Sequence, residues 1–245
     1  MVAVYPFAAV RPARDAAQDI AAVPYDVVTA DEARAIIQEN PESFLRVSRP
    51  DAELPELPPG DERVYQRAAE NFRSLIERGR MARDPSPTLY LYRVRQNGET
   101  FLGLACCLDV ADYRNRRIRR HEQTRYDKEE DRTRHIEATQ THNGPVVLLY
   151  RDGAGIMERL ESLAVATTAP DAEVRAGNGT LHQVFRLDPA TVPDLMARFA
   201  SVPFLYIADG HHRAKSAVNV ADRHTGECRD PEIRRVLGVL FAHDR

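Results

Sequence analysis

The sequence predicts a mixed fold of the α+β class (mixed α/β), and three patterns indicate it. Asn97-Gly98 joins strand-like runs at 88–95 and 100–110, which is a strong signal for a β-hairpin. A second pair of strand-like runs flanks a Gly-Asn-Gly turn at 177–179. Helical patterns separate these pairs along the chain, and hairpins interspersed with helices favour a mixed sheet over a doubly wound parallel sheet.

The composition is that of a soluble globular protein. The chain has 245 residues, of which 43% are hydrophobic and 29% charged, which suits one large domain or two small ones. A net charge of -3 leaves no overall basic footprint for a nucleic-acid partner. No apolar run approaches the roughly 18 residues that span a bilayer, and the N-terminus has no secretory-signal pattern, so no membrane partner is expected. Cys106, Cys107 and Cys228 lack metal-type spacing and favour a cytoplasmic location.

In the first part of the chain, helical and strand-like patterns alternate with breaker residues. Thr29-Ala-Asp-Glu32 is a capping box, which marks the start of a helix. Gly79 is placed to end the amphipathic helix that precedes the first hairpin. The predicted elements are an edge segment at 1–12, a helix from 29 to about 39, a strand at 43–48, a loop at 50–60 and a helix at 62–78.

The second part of the chain opens with a highly charged segment, 113–134, whose later half predicts a helix to about Thr141. Asn143-Gly144-Pro145 is placed to stop that helix. Short strands and helices then alternate. They are a strand at 146–150, a helix at 156–165, strands at 172–176 and 181–187, a helix at 189–200, a strand at 204–207, a helix at 211–224 and a strand at 236–242.

A strand-to-helix turn at Asp209-Gly210 is the first candidate site. The first amides of the helix lack carbonyl partners, the helix dipole adds partial positive charge, and Gly210 lets an oxyanion approach the backbone. Arg213 can add a bidentate contact, and His211 and His212 can add donors. The pattern therefore predicts a phosphate-binding turn. An ordinary turn with exposed polar residues fits the local pattern equally well.

The second candidate site is His121-Glu122-Gln123-Thr124, which lies in an arginine-rich stretch from Arg114 to Arg125. Arginines hold a nearby carboxylate in its ionised form, and an ionised carboxylate beside a hydroxyl can act as a general base. The alternative is a solvated basic strand edge whose arginines pair with the acidic residues that follow at 127–131.

Other kinds of site have less support in the sequence. No His-Glu-x-x-His or Cys-x-x-Cys pattern is present, and the Gly-x-Ser-x-Gly, Walker and Rossmann patterns are absent as well. Any phosphate site is therefore of another type. A Mg²⁺ ion carried by a nucleotide needs only one or two carboxylates, and Asp209 can supply one.

Four ordered motifs are similar to those of a large bacterial and archaeal family, the domain of unknown function 1015 family. They are Val-Pro-Tyr-Asp-Val-Val (23–28), Asn-Pro-Glu-Ser-Phe-Leu-Arg-Val (40–47), Ile-Arg-Arg-His-Glu-Gln-Thr (118–124) and Ala-Asp-Gly-His-His-Arg (208–213). The last resembles the phosphate-binding signature of the ParB/sulfiredoxin fold, in the form found in SerK-like free L-serine kinases. Those kinases also carry an upstream His-Glu motif, which His121-Glu122 matches.

The resemblance implies a kinase that transfers a nucleotide phosphate to free L-serine or a similar small alcohol, with Mg²⁺ and ATP or ADP. Glu122 and Asp209 would then be the catalytic residues. Asp209 would also bind the Mg²⁺ ion that the nucleotide carries. The residues that would hold the phosphates are Gly210, His211, His212 and Arg213. Further contacts to substrate or phosphate would come from Arg120, His121 and Thr124.

The resemblance also implies how the chain is organised. Residues 1–112 would form an N-terminal α/β region that contains the Asn-Gly hairpin, and 113–245 a ParB/sulfiredoxin-like core with an insertion at about 145–200; one continuous domain is the alternative. The core motifs of the short serine kinases lie closer together than Glu122 and Asp209, which 86 residues separate here. Many family members continue well past the phosphate motif, so a short form or a truncated chain is expected.

Three other functions were compared with the kinase. The cysteine of sulfiredoxins falls where this chain has His211, which disfavours sulfiredoxin chemistry. A ParB-like DNA clamp needs a DNA-binding helical domain after the motif, and 32 residues follow Arg213. The remaining alternative is a regulatory module of the ParB-like type that binds a nucleotide or phosphate without turnover.

Overall fold

A mixed β-sheet of nine strands forms the centre of the protein, as seen in a computed structural model that describes residues 1–167, 169–224 and 230–244. The strands in those residues are β1 (Val4–Tyr5), β2 (Val10–Pro12), β3 (Met81–Arg83), β4 (Tyr90–Gln96), β5 (Glu99–Asp109), β6 (Ile118–Arg119), β7 (Val146–Tyr150), β8 (Ala172–Arg175), β9 (Leu181–Arg186), β10 (Leu205–Asp209) and β11 (Arg235–Ala242). The α-helices are α1 (Ala17–Ile20), α2 (Ala30–Glu39), α3 (Leu45–Ser48), α4 (Glu62–Glu77), α5 (Val110–Arg114), α6 (Tyr126–Thr139), α7 (Ile156–Ala166), α8 (Val192–Phe199) and α9 (His211–Arg223).

The sheet contains both parallel and antiparallel pairs, which confirms the predicted α+β class. Its strand order is β6-β10-β7-β11-β5-β4-β9-β8, and β1 pairs with β5 beside that path. Strand β11 is antiparallel to β5 and parallel to β7, whereas β2 and β3 form a separate two-stranded sheet. The strands on either side of residue 112 therefore share one sheet.

The predicted Asn-Gly hairpin is confirmed. Strands β4 and β5 pair antiparallel from Tyr90 opposite Ala105 to Gln96 opposite Glu99. Asn97 and Gly98 have φ values of 52° and 84°. Two central residues with positive φ are the backbone conformation that a tight two-residue hairpin needs, and Asn-Gly adopts it at low cost.

The centre of the sheet is tightly packed around β11. Leu240 in β11 lies opposite Leu104 of β5 and Leu148 of β7, and all three side chains are buried. A Cβ atom on Gly238 would lie 2.9 Å from Leu148 Cδ1 and 3.1 Å from Leu108 Cδ1. A glycine at this position therefore lets leucines from both neighbouring strands fill the space over β11.

Local helix signals were reliable in this chain. The Thr29 side chain accepts a hydrogen bond from Glu32 N, and the Glu32 carboxylate accepts one from Thr29 N, which completes the predicted capping box of α2. Helix α4 ends one residue before the predicted end, and Gly79 has a φ of 69°.

Helices α4, α6 and α9 pack in series, α4 on α6 and α6 on α9. None of the helices in the described residues is long and apolar enough to cross a bilayer.

The strand predicted at 43–48 is wrong, because Leu45–Ser48 form the short helix α3. Leu45 N donates to Ser43 Oγ, and Arg49 N donates to Leu45 O, so the backbone turns where a strand would extend. Leu45 and Val47 are both fully buried. A short apolar run has the same composition in a strand and in a buried helical turn, and neighbouring elements decide between them.

His135 of α6 connects α3 to the loop that follows α6. Its Nε2–H donates to Val47 O at 2.7 Å, and its Nδ1 accepts from the Asn143 side-chain amide at 3.1 Å. A proton added at Nδ1 would face the Asn143 donor. Burial lowers the pKa of His135 from 6.5 to about 4, and the charge of Arg132 adds to that effect.

We expect the free energy of unfolding to fall as the pH drops below 6.5. Because the folded-state pKa of His135 is about 4, the unfolded chain binds this proton first, and its contribution to stability is complete only above pH 6.5. The loss from His135 alone is about 2 kcal/mol at pH 5. Urea unfolding at pH 7 and pH 5 measures it.

His135→Gln is the matched variant, because the Gln amide can still donate to Val47 O while it binds no proton. The pH dependence should be smaller in this variant, although it should persist in part. The pKa values of His142, His182 and His211 are also lowered, mainly by burial. An unchanged difference in unfolding free energy between the two pH values would exclude His135 as its source.

Candidate functional site

Parallel pairing of β6 with β10 brings the two candidate motifs together. Ile118 lies opposite Leu205, and Arg119 lies opposite Tyr206. The carboxyl ends of parallel strands meet at one edge of a sheet, so the residues that follow Arg119 lie beside those that follow β10. This pairing explains how His121-Glu122 reaches the Asp209-Gly210 turn across the long intervening sequence.

Gly210 is the N-cap of α9 and has a φ of 94°, a left-handed conformation that favours glycine. A Cβ atom at this position would lie 3.1 Å from Cζ of Arg213, so a side chain here would also meet the guanidinium group. No side chain of the described residues caps the helix. The first amides of α9, those of His211, His212 and Arg213, therefore remain available as hydrogen-bond donors for an anion.

A close contact between His211 and Glu122 joins the two motifs directly. His211 Nδ1 lies 2.9 Å from Glu122 Oε1. The His211 side chain is 4% exposed and that of Glu122 is 53% exposed, so a buried ring holds a carboxylate that faces solvent.

Burial lowers the pKa of His211, which favours the neutral ring. The carboxylate of Glu122 opposes this shift, and His121 adds to it. The ring of His121 meets that of His211 edge to face, with centroids 4.5 Å apart and an interplanar angle of 84°. Among the described residues, His121, Glu122 and His211 form a group of three side chains that could hold one metal ion, because one ligand atom from each lies within 4.8 Å of the others.

The Arg213 side chain folds back against the Asp209-Gly210 turn and the segment before β7. Its guanidinium group forms an ion pair with the Asp209 carboxylate and donates to the carbonyl of Pro145. The Nε–H of Arg213 is buried and has no partner in the described residues. Arg213 thus links the Asp209-Gly210 turn to the segment before β7, and its Nε–H has no partner in the described residues.

The remaining predicted contacts lie around the same loop, and some have partners elsewhere. His212 Nε2 accepts from Arg125 N at 3.2 Å, which ties the His121-Glu122 loop to α9 at a second point. Thr124 donates to the buried carboxylate of Glu129. Arg120 donates to the Tyr113 hydroxyl at 3.0 Å. The structure therefore brings His121, Glu122, His211 and His212 together, whereas Thr124 and Arg120 contact other side chains.

Most arginines of the basic segment have a protein partner. Arg119 lies over the Phe204 ring, with its Cζ 3.6 Å from the ring centroid. The others with partners are Arg114 with Asp222, Arg117 with Asp112 and Arg125 with Asp127. These cations are paired or stacked, whereas the first backbone amides of α9 and the Nε–H of Arg213 remain available as donors at the turn.

The 23–28 motif lies near the site. The guanidinium Cζ of Arg132 is 4.3 Å from the ring centroid of Tyr25, and Arg49 donates to the Tyr25 carbonyl at 3.0 Å. Burial raises the pKa of Tyr25, and the charges of Arg132 and Arg213 oppose that shift. The contact of the Tyr25 ring with Arg132 and the charge of Arg213 nearby depend on the positions of α6 and α9.

Comparison with known proteins gave one match. The model of a family described as Protein of unknown function (DUF1015) matches residues 4–245. The matched range includes both segments of the candidate site, at 121–125 and 209–213. No curated protein and no solved structure matches the chain.

Proposed function

The chain belongs to the DUF1015 family of proteins of unknown function, and we propose that it is a phosphotransferase that moves a nucleotide phosphate to the hydroxyl of free L-serine or a similar small alcohol. The observation that carries the proposal is the 2.9 Å contact between Glu122 and His211 at the N-terminus of α9. A general base and an anion-binding helix end then lie side by side. We also propose that β6, β10 and α9 belong to a core of the ParB/sulfiredoxin type.

The N-terminus of α9 supplies the phosphate site in this proposal. The free amides of His211, His212 and Arg213 donate to the terminal phosphate oxygens, and the helix dipole stabilises their charge. The unused Nε–H of Arg213 is a further donor beside Gly210. Phosphoryl transfer depends mainly on positioning and charge neutralisation, and the turn supplies both.

The Asp209 carboxylate fits a Mg²⁺ ion carried by the nucleotide, because its side chain is 65% exposed and offers oxygen ligands at the turn. Together with the phosphate oxygens it would hold the ion, which supplies further neutralisation of the transferred charge. Asp209 also pairs with Arg213, so it orients that guanidinium group beside the helix end.

Glu122 is the general base. It takes the proton of the acceptor hydroxyl while the hydroxyl oxygen forms a bond to the phosphorus atom and the bond to the nucleotide breaks. The nucleotide leaves with one phosphate fewer. His211 Nδ1 lies beside one carboxylate oxygen of Glu122, which leaves the other oxygen for the acceptor.

The proposal is tested by incubating the protein with Mg²⁺, L-serine and either ATP or ADP. O-Phosphoserine should accumulate with at least one donor, and mass spectrometry detects it. If neither donor gives product with L-serine or with a panel of small alcohols, the phosphotransferase proposal is wrong.

A further inference from the structure

The group formed by His121, Glu122 and His211 has a composition that general-base chemistry does not require. A base needs one carboxylate and a residue that orients it. Here a second imidazole, that of His121, stands edge-on against the first at 4.5 Å between ring centroids. Two imidazoles and one carboxylate are a common ligand set for transition-metal ions with open coordination positions.

The spacing of the three side chains suits a single ion. Ligand atoms about 2.1 Å from one Zn²⁺ ion lie roughly 3.0–3.5 Å from one another in tetrahedral or octahedral geometry. The His211 and Glu122 atoms are already 2.9 Å apart, and all three ligand atoms lie within 4.8 Å. His121 is exposed, so its ring can rotate the remaining distance at little cost.

The backbone explains why adjacent residues can serve one site. In an extended strand, neighbouring side chains point to opposite faces. Strand β6 ends at Arg119, and the chain bends at His121 and Glu122, so both side chains can turn toward α9.

His211 is the fixed member of the group. It is 4% exposed, and its Nε2 is buried with no partner in the described residues. Within the described residues, Nδ1 is therefore the ring nitrogen that contacts a polar group, the Glu122 carboxylate. When an ion binds at Nδ1, no hydrogen bond of the ring through Nε2 to the described residues has to break.

We propose that His121, Glu122 and His211 bind a divalent transition-metal ion of the Zn²⁺ class, with at least one coordination position open to solvent. Borderline-soft imidazole ligands favour Zn²⁺ or Co²⁺ over Mg²⁺, so this site differs from the nucleotide's Mg²⁺ at Asp209. An ion bound there occupies the Glu122 carboxylate. If the proposed function holds, Zn²⁺ therefore inhibits phosphoryl transfer by removing the base.

Metal titration of the untagged full chain tests the site without nucleotide or turnover. Wild-type protein should bind one Zn²⁺ ion per chain in calorimetry, and Co²⁺ should give a ligand-field absorption stronger than that of the aqueous ion. His121→Ala and Glu122→Gln should each weaken binding by about tenfold or more, since each removes one of three ligands. Both side chains are exposed, so the variants are expected to fold, and circular dichroism checks this.

His243→Ala is the matched control, because it removes an exposed histidine of β11's C-terminal flank, outside the group. It should bind Zn²⁺ as the wild type does. Absence of binding by the wild type, or equal affinity in the wild type, His121→Ala and Glu122→Gln, would overturn the metal site. If the wild type binds Zn²⁺ but makes no O-phosphoserine from Mg²⁺ and ATP or ADP when Zn²⁺ is absent, the proposed function is wrong and the metal site stands.

Discussion

Replacing Glu122 with Gln is expected to lower phosphoryl transfer by about 10²- to 10⁴-fold while the nucleotide still binds. The Gln side chain has the same shape, and its carbonyl oxygen can still lie against His211 Nδ1. It cannot take a proton from the acceptor hydroxyl. Steady-state rates of O-phosphoserine formation, together with nucleotide affinity by calorimetry, separate loss of chemistry from loss of binding.

Glu161→Gln provides the control for that variant. Glu161 is an exposed carboxylate on α7, and it lies outside both candidate motifs. Its replacement should leave the rate unchanged. If Glu122→Gln turns over at the wild-type rate, Glu122 is not the base. A regulatory module of the ParB-like type predicts a third pattern, in which both variants bind nucleotide and none of the three proteins makes product.

Replacing Leu240 with Ala is expected to lower the free energy of unfolding by about 2–5 kcal/mol, which is a large part of the stability of a typical domain. Leu240 is fully buried in β11, opposite Leu104 and Leu148 of the neighbouring strands. Close packing on both sides leaves little freedom for the strands to close over the cavity. Equilibrium unfolding in urea measures the change.

The control for Leu240→Ala is Val165→Ala, which shortens a side chain that is 84% exposed near the end of α7. Its expected effect is below about 0.5 kcal/mol, as for most surface substitutions. A loss below 1 kcal/mol for Leu240→Ala would mean that β11 is less tightly packed than its neighbours in the structure indicate.

Several elements could be predicted from the sequence because their signals are local. The capping box of Thr29 and Glu32 starts a helix through bonds between residues three positions apart. Asn97-Gly98 supplies two residues that tolerate positive φ, and alternating runs on both sides provide the strands. In each case the residues that determine the structure are neighbours in the chain.

Two features of the site could not be predicted in the same way. Strand β6 has two residues and little strand pattern of its own, and its pairing with β10 depends on a partner more than 80 residues away. The sequence assigned His211 to phosphate, whereas its Nδ1 meets Glu122. That contact depends on which nitrogen of the His211 ring faces the end of β6, and the spacing of residues in the sequence does not predict this. The phosphate, catalytic and metal roles of these residues stay predictions.

The central position of β11 constrains the order in which the chain can fold during synthesis. In the described residues, β11 is the strand that joins β6-β10-β7 to β5-β4-β9-β8. A nascent chain that has emerged only as far as Asp230 has both halves of the sheet and lacks the strand between them. The leucine-rich edges of β5 and β7 then stay unpaired until Ala242 leaves the ribosome. Chaperone capture of ribosome-bound chains should therefore persist until β11 emerges and end at that point.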